Sequence, residues 1–350
     1  MRTGIANLPL HYGKSPAWLF SRMKNLSKVI SAIIIREYGK NEFLNRLADP
    51  FWFQALGCLL GFDWHSSGLT TTVCAALKEA LAEQELDVYA AGGKGKTSLK
   101  TLEELERLEL PDNKVEKLKK ASKLAAKVDN ALVQDGFSLY HHTIFFTNAG
   151  SWCIVQQGMN EQISYARRYH WLSNIKSFVN EPHAAICCDK KFKTLNLTSK
   201  ICKETRKASL DLAKEKNTQA LFQEQKTLTN FTTLTMPRNH FINKKYIVKN
   251  LNMVYEFQPR SYEEMILIKG VGPETIRALA LTASIIYGTK LDWKDPTKYA
   301  FAHGGKDGTP YPVNKKRMDK TIEILKDAVK QANLNRFEKL AALKRLSNAF

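Results

Sequence analysis

Apolar positions recur at three- and four-residue steps over most of this chain, which predicts helices. Ser15-Pro16 precedes Trp18-Leu19-Phe20, a helix start. Leu47-Ala48-Asp49-Pro50 interrupts the pattern, and Phe51 to Leu60 resumes it as a very apolar helix. Thr70 to Leu81 sets Val73, Ala76, Leu77 and Leu81 on one side. Charged helices fill Leu99 to Val133. The pattern then turns β-prone in His142 to Thr147 and again in Trp152 to Gln157. Asn148-Ala149-Gly150-Ser151 between them reads as a turn, so a hairpin is expected, with Asn174 to Val179 as a candidate third strand. From residue 205 onward the chain reads as helix and loop. The class is therefore α+β and predominantly helical. We expect an N-terminal α+β domain over 1–188, a basic linker over 189–217 and a C-terminal all-α domain over 218–350.

Charge narrows the class of partner. The chain carries 53 Lys+Arg against 34 Asp+Glu, a formal charge of +19. Such a balance attracts a polyanion and speeds encounter with it. Residues 189–217 hold Lys190, Lys191, Lys193, Lys200, Lys203, Arg206, Lys207, Lys214 and Lys216 against four acids. The tail from Asn314 is again lysine-rich. DNA is the expected partner, and RNA stays open. The longest aliphatic block, Val29 to Ile35, is too short to span a bilayer. No secretory signal opens the chain, and the six cysteines lack metal-type spacing, so a cytoplasmic protein with reduced, structural cysteines is expected.

The most informative local pattern lies at Ile268-Lys269-Gly270-Val271-Gly272-Pro273-Glu274-Thr275. Upstream, Ser261-Tyr262-Glu263-Glu264 is a capping box that opens a helix through Met265 and Ile266. Downstream, Pro273 suits a helix's first turn, and Ile276, Leu279, Ala280, Ala283 and Ile286 form an apolar stripe. Two glycines separated by one apolar residue thus join two helices. Glycine permits positive φ and close approach, and the second helix begins with unpaired amides and the positive end of its dipole. A phosphate can sit there. Residues Lys269, Gly270, Val271, Gly272 and Thr275 are the candidate contacts. The arrangement resembles the helix-hairpin-helix motif, which grips the DNA backbone. A plain helical hairpin is the competing reading.

Other motifs offer chemistry against blander alternatives. Ala90-Ala91-Gly92-Gly93-Lys94-Gly95-Lys96-Thr97 nearly matches a P-loop, but Ala90 stands where its first glycine belongs. A phosphate contact at Lys94 and Lys96 competes with a plain surface loop. Asp63 and His65 can be metal ligands, an acid–base pair, or a helix cap with a satisfied histidine. Tyr140-His141-His142 precedes a strand, where neighbours point to opposite faces and do not share one ion. Arg167 and Arg168, interleaved with Tyr165, Tyr169 and Trp171, suit either a single-strand stacking platform or a helix with a buried aromatic side.

Segment 259–295 resembles the helix-hairpin-helix DNA glycosylase superfamily. That resemblance implies a catalytic lysine at the position of Glu274, so no Schiff-base lyase chemistry, and a catalytic aspartate at Asp292. Over nearly its full length the chain resembles an archaeal and bacterial family known as a domain of unknown function. That match is carried by Met1 to Leu10, Asp49-Pro50-Phe51-Trp52-Phe53-Gln54-Ala55-Leu56-Gly57, Val155-Gln156-Gln157-Gly158-Met159-Asn160 and Phe301-Ala302-His303-Gly304-Gly305-Lys306-Asp307-Gly308. The expectation is a DNA-processing protein of repair or recombination. Two catalytic routes are open: a nuclease with Mg²⁺ or Mn²⁺ held by Asp49, Asp63 and His65, and base excision through Asp292. A non-catalytic nucleic-acid binder is the alternative class.

Overall fold

The computed structural model describes residues 15–62, 66–188, 191–216 and 244–297, with isolated helical positions between 323 and 344. Four helices lead: α1 (Ala17–Tyr38), α2 (Lys40–Ala48), α3 (Pro50–Leu59) and α4 (Ser67–Ala82). Strand β1 (Val88–Lys94), short helices α5 (Lys96–Leu99) and α6 (Thr101–Glu106), and the long α7 (Asp112–Ala131) follow. Next come β2 (Val133–Gln134), β3 (Ser138–Thr147), β4 (Trp152–Asn160), β5 (Tyr165–Leu172), β6 (Ala185–Cys187) and β7 (Leu195–Asn196). Helices α8 (Lys203–Lys214), α9 (Lys244–Phe257), α10 (Tyr262–Leu267) and α11 (Pro273–Tyr287) complete the described chain. The fold is α+β and predominantly helical.

Five strands form one antiparallel sheet in the order β1-β3-β4-β5-β6, and β2 pairs with β7 separately. Alternation along each strand sends successive side chains to opposite faces. Phe145, Cys153 and Val155 meet the N-terminal helices in one core, with Phe43, Phe53, Leu69 and Leu77. Ile144, Phe146, Trp152, Ile154, Tyr169 and Trp171 face the other way, into a second core with α7 and residues of α8 to α11. Both faces are covered, which explains why β4 opens with four consecutive apolar residues, Trp152 to Val155.

The expected turn at 148–151 is present: Gly150 has φ +95° and its amide bonds Thr147 O at 2.9 Å. The third strand differs from expectation. Asn174 to Val179 is not a strand, and β5, Tyr165 to Leu172, fills that place. The expected basic linker is also largely folded. Residues 191–216 hold β7 and α8, and Cys202, Leu212 and Ala213 share a core with Ile144 and Leu279. Residues of 191–216 thus pack into the core on the α7 face of the sheet. All six cysteines are buried thiols. Burial pushes the Cys74 thiol up to about 12, so it stays protonated near neutrality. Among the described residues no helix is long and apolar enough to cross a membrane.

Candidate nucleic-acid interface

The α10–α11 turn is built as its residues dictate. Ser261 caps α10, its Oγ accepting the Glu264 amide at 3.1 Å. Glu264 reaches back to the Arg260 amide at 2.8 Å, one residue earlier than a capping box requires. The chain then turns through Ile268 to Gly272, with the Val271 amide bonded to Ile268 O at 3.1 Å. Gly270 lies at φ +91°, and a Cβ there would stand 2.5 Å from Asn250 Oδ1 and 3.0 Å from Met253 Cε. Asn250 cannot easily yield, because it is buried and donates to Thr275 Oγ1 at 3.1 Å. Gly272 caps α11 with φ −131°, and a Cβ there meets nothing nearer than Gly270 O at 3.8 Å. Gly270→Ala should therefore cost about 1–3 kcal/mol of stability while Gly272→Ala stays within about 1 kcal/mol of wild type, as urea unfolding would measure. Equal costs would show that the turn is not held against α9.

Three carbonyls of the turn are engaged by side chains. Tyr246 OH donates to Gly270 O at 3.2 Å, Lys127 Nζ to Val271 O at 2.7 Å and Gln134 Nε2 to Pro273 O at 2.9 Å. Burial lowers the pKa of the Lys127 ammonium. Lys269 is exposed, and Gly270 and Gly272 are partly exposed. Val271 and Thr275 are buried at 1% and 0% exposure, so their side chains anchor the turn and cannot reach a ligand.

Lysines ring the turn. On α9, Tyr246, Lys249, Asn250 and Met253 share one face by their spacing, and Lys249 is exposed, as is Lys245. On α7, Lys120, Lys123 and Lys127 share a stripe at the same helical spacing, and Lys120 and Lys123 are exposed. Glu274 is the acid in the first turn of α11, where the helix dipole favours it.

The other expected site residues fall elsewhere. Arg167 and Arg168 are fully buried on the interior strand β5 and cannot touch nucleic acid. Asp49 is the N-cap of α3, its Oδ1 accepting the amides of Phe51 and Trp52 at 2.9 and 3.2 Å. Asp292 is 9% exposed, and its Oδ1 accepts the Lys294 amide at 3.0 Å. Its amide meets Cys202 Sγ at 3.2 Å and its carbonyl accepts the Asn196 amide at 2.8 Å, so it ties the loop after α11 to β7. Lys94 and Lys96 are exposed. Their loop is no P-loop, because β1 is the antiparallel edge of the sheet and α5 has only four residues. Asp63 and His65 lie outside the described residues, as does the segment from Phe301 to Gly308. Among the described residues no three His, Cys, Asp or Glu side chains converge as a metal site.

A family model described as "Protein of unknown function (DUF763)" matches residues 4–313. The chain belongs to that family. No curated protein and no solved structure matches it. The DUF763 match covers both cores, the α10–α11 turn and the loop that holds Asp292.

Sequence reasoning missed a set of polar clusters buried in this DUF763 fold. On the α7 face, the Asp129 carboxylate accepts from Gln156 Nε2 at 2.5 Å, from Trp171 Nε1 at 3.0 Å and pairs with His183 Nε2. That orients Gln156, whose Oε1 must accept from His142 Nδ1 at 2.7 Å. His142 Nε2 then accepts from Ser122 Oγ at 2.8 Å. A hydroxyl, a ring base and an orienting group in this order is the geometry of an activated nucleophile. Ser122 is 4% exposed in the middle of α7, so here the arrangement is a buried cross-link between helix and sheet.

Beside it, Asp135 accepts from Arg167 at 2.8 Å and from Tyr169 OH at 2.7 Å, and Arg167 also donates to Asp295 at 2.7 Å. Burial opposes the Arg167 charge, but Asp135 and Asp295 outweigh it and raise its pKa well above the ordinary value. On the other face, Arg168 bonds Gln54 at 3.0 Å, Thr70 at 3.2 Å, His170 at 2.9 Å and the Pro50 carbonyl at 3.4 Å. These partners are neutral, and burial brings Arg168 down to about 10.

Proposed function

We propose that this DUF763 protein binds nucleic acid, with DNA as the expected form, by gripping the phosphate backbone at the α10–α11 turn. The observation that carries the reading is the turn itself. Gly270 is pressed against Asn250 with no room for a side chain, three carbonyls of the turn are already engaged by side chains, and Lys269 in the turn and Lys249 on α9 are exposed. Such a surface offers amides and ammonium groups to phosphates and carries no means of reading bases. The net charge of +19 supports the same partner. Catalysis is not part of this reading: Asp292 and Asp49 are engaged in capping, and Asp63 and His65 lie outside the described residues.

The test is fluorescence anisotropy with labelled duplex and single-stranded DNA across a salt series. Affinity should fall steeply with salt and vary little with sequence. Lys249→Glu with Lys269→Glu should weaken binding by at least about tenfold and shallow the salt slope by about two, because each lysine neutralises one phosphate. Lys203→Glu with Lys207→Glu on α8, both exposed and outside the turn, makes the same charge change and serves as the control. If the double variant and the control bind equally weakly, net charge rather than the turn is responsible and the proposal fails. Incubation with Mg²⁺, Mn²⁺ or EDTA in parallel shows whether the DNA stays intact.

A further inference from the structure

The loop between β1 and α6 has a form that a plain surface turn does not need. Strand β1 ends at Lys94, opposite His141, and the Gly95 amide closes on Tyr140 O at 2.7 Å. The chain then makes the single helical turn α5 beyond the sheet edge. Leu99 stands at the end of that turn with 81% of its surface exposed. Lys94, Lys96 and Lys100 around it are exposed as well. No acid occurs between Asp87 and Glu103.

This tip is held rigidly. Glu104 Oε2 accepts the Gly92 amide at 2.7 Å and Lys78 Nζ at 2.6 Å, and Lys78 also donates to Gly92 O at 2.8 Å. Gly92 lies at φ +99°, and a Cβ there would stand 2.2 Å from His142 O. Ser98 Oγ donates to Gly95 O at 2.6 Å, and Thr101 Oγ1 to Ser98 O at 2.7 Å. A lone exposed leucine is ordinary on a protein surface. A leucine at the apex of a locked turn, with three lysines about it and no neighbouring acid along the chain, is not.

We infer that this tip is a second nucleic-acid contact, in which the lysines bind phosphates and Leu99 wedges between adjacent base pairs from the minor groove. The inference rests on the nucleic-acid reading above. Apolar wedges of this kind partly unstack a base step, while flanking cations secure the backbone on either side. Leucine has no hydrogen-bonding group, so the wedge selects deformable steps rather than a base sequence. Pre-formed rigidity suits the role, because a floppy tip would give up its conformational freedom on insertion.

The experiment uses the full chain and a duplex carrying 2-aminopurine at a central TA step, whose fluorescence rises when the base is unstacked. Wild type should raise the signal at saturation. Leu99→Ala should abolish the rise with its melting temperature unchanged, since the side chain is exposed. Lys94→Gln, Lys96→Gln and Lys100→Gln together should weaken binding by about tenfold or more, because three phosphates are then left without a cation. Binding without a rise, or a rise that survives Leu99→Ala, overturns the wedge and leaves the α10–α11 reading intact. No binding by wild type overturns both. A parallel arm uses vesicles of phosphatidylserine and phosphatidylcholine. Binding to them that disappears in Leu99→Ala, with the 2-aminopurine signal unmoved, assigns the tip to a membrane surface and overturns the inference.

Discussion

Arg167→Ala is expected to lower the unfolding free energy by about 3–5 kcal/mol, a large part of what holds a domain together. Arg167 is wholly buried and its guanidinium serves two carboxylates, Asp135 at 2.8 Å and Asp295 at 2.7 Å. Its plane lies over the Phe137 ring at 4.8 Å and the Phe192 ring at 5.8 Å. Truncation leaves two acids buried without their cation, and most of the cost comes from that. Asp295→Asn should cost clearly less, because an amide can still accept from Arg167 while the charge on Arg167 keeps Asp135. Urea unfolding followed by tryptophan fluorescence measures both variants. A decrease below about 1 kcal/mol for Arg167→Ala would mean that water reaches the site, since screened pairs contribute that little.

Mild acid should destabilise the protein. His141, His142 and His170 are buried, and desolvation lowers the pKa of all three, His141 to about 3. In the unfolded chain each takes a proton near the ordinary value of 6.5, so below that pH the unfolded state binds more protons than the folded one. Stability is therefore present above about pH 6.5 and falls as pH drops. Asp135 works the other way: burial raises its pKa, while the Arg167 charge beside it opposes that shift. Three histidines stand against that one carboxylate, so the balance lies with a loss of stability on acidification. Urea unfolding at pH 7, 6 and 5 tests this. An unfolding free energy flat across that range would show that the histidines carry their charge in the fold. His141→Asn should shallow the dependence by about one proton.

The helices were legible because their cues are local. Asp49-Pro50 at the start of α3, Ser261 at α10 and Gly272-Pro273 at α11 are capping signals that tertiary context left in place. The β3–β4 hairpin was legible for a related reason, a β-prone run on either side of a turn. Strand β5 was not. Arg167-Arg168-Tyr169-His170 reads as surface, since buried charges are rare without partners. The partners lie far away in the chain: Asp135 and Asp295 on one face, Gln54 and Thr70 on the other. No local pattern announces such pairings. Gln156-Gln157, two amides inside an apolar run, was the available hint, and both turn out to be buried. The segment 189–217 misled for the opposite reason. Its lysines suggested a solvated linker, yet at helical spacing they leave Thr205, Ser209, Leu212 and Ala213 to turn inward on α8.

Helix α7 has two unlike sides. Its inner side presents Ser122 to His142 and Asp129 to His183, and its outer side ends in Lys127, fastened to the α10–α11 turn. Twenty residues of continuous helix join the two. Any polyanion that settles on the outer side favours the folded chain by mass action. If such a polyanion binds, the occupied chain should tolerate a lower pH than the same chain alone.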